Sequence, residues 1–596
     1  MNKSILALVA SVFACGTLAA GELAKRMEVA SIFMDNMVVP RDCEVTVWGW
    51  APVGEEVSVT FAGQTAKAAA NADGVWEAKL AAMPASSEGR TLSVVGKTGA
   101  KTFRNVLVGD VWLCGGQSNM DFNFSWGPIC GDEKFRPEAD RFPQIRFCAM
   151  KVVETPNKCR NAVFSSPWTV VSSNAVQNCT AVGYFFARRL HLDLGVPIGI
   201  LDDNASGTEI EVWLPPSAAD RPELAHLRHD RRLGLEYNGM IEPIGRFPVK
   251  GAIWYQGCSN VGNLSNNSGE DHAPKLRALI EGWRALWKRP IPFYYVQLHG
   301  WTKKTSAAAG TGLEYALIRE DMARVRGMDG VGMAVAIDLG GNPEPRNGDL
   351  HPWNKYDVGE RLARWALNRT YARADVVASG PSFKSMSVNG REVTLSFENA
   401  EGLRCATKKG VEAPVATPDA TPANFAIAGA DRQWAWADSA RIVGTTVVVS
   451  SAKVAEPVAV RYAFTGHPQN LNLYNAAGLP MLPFRTDDWV RHNSWTRAPD
   501  FPDFAAGTAN AVDAGQPERG SAKLTSNPWS IIDPGPTEKW GAGKNKSVIV
   551  HVDATDGCVE LRRKMFFNVT ESKPEAARAG NFADNWSGRI YVLQSK

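Results

Sequence analysis

Apolar and polar residues alternate with period two early in the chain. The segments EVTVWGW, EEVSVTFAG and TLSVVGK, all lying between Glu44 and Lys97, set apolar side chains at every second position between Gly, Pro and Asp-Gly turns. In a strand this period gathers the apolar side chains on one face, so the stretch from about Glu22 to Thr102 predicts a small β-sandwich. The pattern changes at Val106. There VLVGDVWLCGG reads as a fully buried strand running into a glycine turn, and helical and strand patterns then alternate. AVGYFFARRLHLDLG is followed by PIGILDD, KLRALIEGWRALWKRP by PFYYVQL, and VGMAVAIDL by KYDVGERLARWALNR. Such alternation predicts an α/β fold, a parallel sheet covered by helices on both faces, with ligands bound beyond the carboxyl ends of the strands.

After about Ala372 short alternating strands return, including EVTLSFENA, TTVVVSS and VAVRYAF, and end at PFRTDDW near Trp489. The remaining residues open with a stretch rich in Pro, Asn, Gly and Ser and then offer SVIVHV, CVELRRK and RIYVLQ as strands. The predicted organisation is a signal peptide at 1–20, a β-sandwich domain at 21–104, an α/β domain at 105–371, a β-rich domain at 372–490, and a tail or small β-module at 491–596. The first segment is assigned by order: Lys3, an apolar run from Ile5 to Ala14, then small residues at Ala19 and Ala20, the sequence of features that export requires. A variant reading makes Cys15 a lipidated first residue, which Phe13 fits poorly. No other segment approaches the about 18 apolar residues of a membrane span.

A length of 596 residues exceeds what one core organises, and 44% hydrophobic with 21% charged residues is the composition of a folded protein. A net charge of +3 without Lys/Arg runs argues against a nucleic-acid partner. Cleavage near Ala20 leaves nine of the ten cysteines, so at least one stays unpaired or bonds between chains. No Cys/His cluster has zinc spacing, and His226 and His229, beside Arg228, Arg231 and Arg232, read as a solvated helix face; no metal and no cofactor are expected.

Two short motifs carry candidate chemistry. GGQSNM sets Ser118 on a glycine turn at the end of a buried strand, where a hydroxyl can be exposed and the following helix offers N–H groups to an oxyanion; the same pattern is also a common helix cap. GDLHPWNKYDVGERLA sets Asp349 two residues before His351, the spacing that lets a carboxylate hold one side of an imidazole while the other faces a nucleophile. Asp-x-His before proline is equally a loop capping the next helix.

The order of these pieces shifts the balance toward the chemical reading. SIFMDNMVVPRDCEVTVWGWA, NVLVGDVWLCGGQSNM, GTEIEVW, YNGMIEPI, KGAIWYQGCSN, DLHPWNKYDVGERLA, VAVRYAF and PFRTDDW follow one another from about Ala30 to Trp489, and in this the chain closely resembles the sialate O-acetylesterase family, a carbohydrate-esterase branch of the SGNH hydrolases. The resemblance implies a three-layer α/β/α sandwich flanked by β-sandwich domains. It also implies an O-acetylated carbohydrate as substrate, sialic acid or a related glycan, acted on in the periplasm or outside a bacterial cell, with no cofactor. Carried over position by position, it makes Ser118 the nucleophile, His351 the general acid and base, and Asp349 the residue that orients His351. The oxyanion hole it implies combines the N–H groups of Ser118 and Gly207 with a side-chain amide from either Gln256 or Asn260.

The chain departs from the family pattern twice. Cys258 stands where the usual WYQGESN turn has a glutamate that some related esterases use to support the histidine, and Ala205 and Ser206 replace the Trp and first Gly of the usual WGGT stretch. The first departure leaves the supporting charge to Asp349; the second reshapes the acyl pocket. Two other readings share the same residues: an acetylxylan-type polysaccharide esterase, and a catalytically degenerate carbohydrate-binding protein. Glu211, Trp213, Trp254 and Tyr255 lie near the expected site, where aromatic residues beside strands are more often core than sugar platforms.

Overall fold

The computed structural model describes residues 24–261, 272–301, 308–311, 313–340 and 350–489, together with five short strands between Ala511 and Tyr591. The signal peptide expected at 1–20 and Asp349 lie outside the described residues. The chain divides into two compact units, Met1–Thr496 and Arg497–Lys596.

A single long strand, Ala100–Gly116, organises the first unit. Its first half pairs antiparallel with Ser86–Gly96 and parallel with Val38–Pro40, as part of the N-terminal antiparallel sheets. From Asp110 onward the same strand is buried on both faces, as its apolar run VWLC predicts, and lies parallel to Ile198–Asn204 on one side and Gly251–Tyr255 on the other. The change of pattern near Val106 therefore falls inside one strand. Strands Ile145–Met150, Phe293–Gln297 and Val331–Val335 extend the parallel sheet, and Phe164–Val170 closes one edge antiparallel.

Helices cover both faces of this sheet, giving the three-layer α/β/α sandwich. Ala181–Leu194 packs with Lys355–Trp365, and His272–Trp287 with Glu314–Val325. The first pair approaches closely because Gly359 faces the backbone of Phe186, where a β-carbon would come within 2.8 Å of its nitrogen. Capping is sequence-encoded: the Thr180 hydroxyl accepts from the Gly183 N–H at 3.2 Å, and Asn354 accepts from the Asp357 N–H at 3.0 Å. Helix Glu314–Val325 had no clear signature in the sequence pattern, and residues 205–250 form short tight turns rather than regular helices.

The C-terminal part of the first unit is built of antiparallel strands. Ser382–Asn389, Glu392–Glu398, Thr446–Ser450 and Ser439–Val443 form one sheet, and Phe425–Ala428 with Trp434–Trp436, Ala459–Tyr462 and Phe484–Arg485 another. They enclose their own apolar core, with Leu395, Ile427, Val447 and Val460 fully buried. In the second unit Trp529–Ile531, Lys546–Val552 and Lys564–Phe567 pair antiparallel, as do Ala511–Asp513 and Arg589–Tyr591. No described helix is long and apolar enough to cross a membrane.

Candidate functional site

The site lies where the strands Ala100–Gly116, Ile198–Asn204 and Gly251–Tyr255 end together: Gly116 is in register with both Asn204 and Tyr255. Gly116 takes a φ of 146°, and a β-carbon there would come within 2.3 Å of the Tyr255 carbonyl oxygen, so only glycine lets the backbone turn so tightly against its neighbour. The turn delivers Ser118 to the first position of the short helix Ser118–Asp121.

Gln117 fastens this turn to the next strand's loop. Its side-chain carbonyl accepts from the N–H groups of Gly257 and Ser259 at 3.0 and 3.3 Å, and its amide nitrogen donates to the Ser259 hydroxyl at 3.1 Å. Across the cleft, Ser118 Oγ lies 2.9 Å from His351 Nε2, a hydrogen bond between residues 233 apart in sequence. Burial, reinforced by the Lys355 ammonium, pushes the His351 imidazole down to about 4, so at neutral pH the ring is unprotonated and able to take a proton from Ser118.

The backbone N–H groups of Ser118 and Gly207 make no hydrogen bond among the described residues. Gly207, with φ 79°, is an exposed turn position in the loop after Ile198–Asn204, and that loop is tied to the Ser118 turn by the Ala205 N–H donating to the Gly116 carbonyl at 3.1 Å. At the departure from the family pattern, Ala205 is buried, and the Ser206 hydroxyl donates to Asp121 at 2.6 Å.

The two candidate amides are differently placed. Gln256 Nε2 donates to the Thr208 carbonyl at 3.1 Å and to Asn260 Oδ1 at 2.7 Å, which uses both of its N–H groups. Asn260 Oδ1 also accepts from the Ile210 N–H at 2.9 Å, and Asn260 Nδ2 gives one N–H to Glu211 at 2.8 Å, leaving a second. Glu211 in turn is ion-paired at 2.8 Å with Lys275, both wholly buried. The motif residue Glu211 is thus a buried brace, and Trp254 is core, packed edge-on against Trp213 and Trp283 at 5.6 and 5.5 Å.

A second layer of the site is not evident from the motifs. Asn119, beside Ser118 and fully buried, donates to the carbonyl of Leu350, the neighbour of His351, at 3.0 Å. Its own carbonyl accepts from Lys355 Nζ at 2.5 Å. Lys355 is completely buried, with Nζ 4.9 Å from the Phe122 ring centre and 5.4 Å from that of Tyr255, and burial pulls it down to about 7. Next to it Cys258 takes the place of the family's glutamate; its sulfur lies 3.8 Å from Asn119 Nδ2, and burial pushes the thiol up to about 11. A neutral, buried thiol is no nucleophile. The Tyr255 hydroxyl meets Nδ1 of buried His299 at 3.1 Å, and burial holds that imidazole well below its ordinary value.

Buried Arg319 draws the C-terminal strands to this wall, donating to the carbonyls of His299 at 3.1 Å, Gly466 at 3.2 Å and Thr465. Among the described residues no group of His, Cys, Asp and Glu side chains could hold a metal ion, and His226 and His229 are exposed on the short helix Pro222–His229.

A family model described as a carbohydrate esterase, sialic acid-specific acetylesterase, matches residues 108–339. The sialate O-acetylesterase of Mus musculus is 26% identical over 444 residues, spanning 64% of this chain and 77% of that protein. The human sialate O-acetylesterase is 27% identical over 393 residues, 59% of this chain and 72% of that protein. The crystal structure of a carbohydrate acetylesterase from Xanthomonas citri is 34% identical, with a TM-score of 0.69, and covers 78% of this chain and all of its own. The chain belongs to the carbohydrate acetylesterases and is a carboxylic ester hydrolase.

Proposed function

We propose that the protein removes O-acetyl groups from sialic acid or a related acetylated glycan through an acetyl-enzyme on Ser118. The observation that carries this reading is the 2.9 Å contact between Ser118 Oγ and His351 Nε2 at the common end of three parallel strands. His351 takes the serine proton as Oγ attacks the acetyl carbonyl, then gives it to the departing sugar oxygen, and finally activates water to release acetate. Asp349, two residues before His351, takes the role that the family pattern gives it, orienting the imidazole for these proton transfers. The negative oxygen of the tetrahedral intermediate is received by the free N–H groups of Ser118 and Gly207 and by the remaining N–H of Asn260, which Gln256 and Glu211 hold in place. An N-terminal export signal would put this activity in the periplasm or outside the cell.

Acetate release from 4-nitrophenyl acetate and from O-acetylated sialic acid, compared between the native protein and Ser118→Ala, tests the reading. Loss of at least about a thousandfold in the variant is expected on both substrates; a variant that keeps its rate sinks it. An acetylated xylan run alongside separates the glycan classes.

A further inference from the structure

The loop after the nucleophile helix carries Phe122, Phe124 and Trp126 at alternate positions. The first two are buried, at 6% and 5% exposure, whereas Trp126 is 49% exposed. Single exposed apolar residues are common and by themselves mean nothing. Apart from Trp436, however, the other exposed large apolar side chains among the described residues are aliphatic, and Trp126 stands directly against the site. Its ring centre lies 6.5 Å from that of His351 and 5.8 Å from that of Phe122, and both rings meet it nearly at right angles, at 80°. Among the described residues no aromatic ring lies parallel to the Trp126 indole within contact distance.

The loop that presents this indole is pinned on both sides. Asn123 forms a bridge with Thr180, the Ser125 N–H donates to the Gln177 carbonyl at 3.2 Å, and the Cys130 N–H donates to the carbonyl of Trp353, two residues after His351, at 3.1 Å. The platform is therefore fixed relative to the imidazole.

Chemistry places the sugar there. To protonate the leaving oxygen, His351 Nε2 must come within about 3 Å of it, so the sugar carbon bearing that oxygen sits against the imidazole on the open side of the cleft. Trp126 borders the same imidazole. We propose that Trp126 is a sugar-stacking platform, receiving on its open indole surface the pyranose ring whose acetyl ester is presented to Ser118. The C–H face of a pyranose is apolar and suits an indole, which gains contact area while losing little side-chain freedom. This inference rests on the Ser118 reading and deepens it by naming what orients the alcohol half of the ester.

The test compares Trp126→Ala, Trp126→Leu and Trp126→Tyr with the native enzyme on O-acetylated sialic acid and on ethyl acetate, which has no ring to stack. The alanine and leucine variants should raise KM for the sugar ester so that kcat/KM on it falls at least about tenfold further than on ethyl acetate. Tyrosine, which restores an aromatic face, should recover most of the difference. Equal losses on both esters, or an unchanged KM for the sugar ester, would overturn the platform. Activity surviving Ser118→Ala would instead fail the parent reading and leave the platform without its basis, so the two failures are distinguishable.

Discussion

Among the described residues two lysines are wholly buried around the ends of the parallel strands, and they are held in opposite ways. Lys275 lies 2.8 Å from the Glu211 carboxylate, whose second oxygen accepts from Asn260. Lys355 instead gives a hydrogen bond to the Asn119 carbonyl, faces the rings of Phe122 and Tyr255, and has beside it the neutral thiol of Cys258. A buried ammonium paired with a carboxylate keeps its charge and braces the scaffold. One without that partner is drawn down to about 7, and its charge then bears on the neighbouring His351. The first lysine fixes the Asn260 amide; the second tunes and positions the catalytic pair of the proposed mechanism.

Breaking the paired lysine should produce the larger effect on stability. Lys275→Met leaves Glu211 buried without its ammonium and should lower the unfolding free energy by about 3–5 kcal/mol, read from the denaturant midpoint. Lys355→Met orphans no carboxylate; it removes the penalty of the buried ammonium while leaving the Asn119 carbonyl without its donor, two effects of opposite sign, so at pH 7 it should destabilise the protein much less than Lys275→Met. Its cost should appear in catalysis: Asn119 loses its anchor, the Leu350 carbonyl shifts with it, and kcat should fall about ten- to a hundredfold.

The pH dependence of stability separates the two lysines further. Folding depresses the Lys355 pKa from the ordinary lysine range to about 7, so between pH 7 and the unfolded value the unfolded chain holds the extra proton. The penalty for burying this ammonium is fully present below about pH 7 and fades as pH rises toward about 10. Native protein should therefore gain stability relative to Lys355→Met over that interval.

The smallest effect comes from making the two lysines alike. Cys258→Glu restores the carboxylate usual in the family and gives Lys355 a partner. The carboxylate offsets the ammonium's pull on His351, so the acid limb of the kcat/KM profile should move up by about one pH unit. A limb that stays in place would show that Lys355 does not tune His351.

What the sequence made legible was local in the chain. Ser118 sits in a glycine turn whose geometry the strand before it dictates, and His351 precedes a helix with a recognisable cap; each short motif alone reads equally as a cap or loop, and the order of motifs along the chain singled the two out as candidates. The α/β order was legible because buried strands and amphipathic helices carry their periods in their own residues. Asn119, Gln117 and Lys355 escaped because their roles arise from contacts across more than a hundred residues. One signal for Lys355 was present: it opens the helix Lys355–Trp365, and a cation in the first turn opposes the helix dipole, so some other interaction had to hold it there. The choice between Gln256 and Asn260 likewise needed the network, which shows both donors of the glutamine engaged and one of the asparagine still unused.

The central claim, that Ser118 is the nucleophile activated by His351, is tested most directly by treating the native protein with a fluorophosphonate and mapping the adduct by peptide mass. The account predicts one adduct, on Ser118, that is absent from Ser118→Ala and strongly slowed in His351→Ala. No adduct on the native protein, or an adduct on another residue that persists in Ser118→Ala, would contradict it.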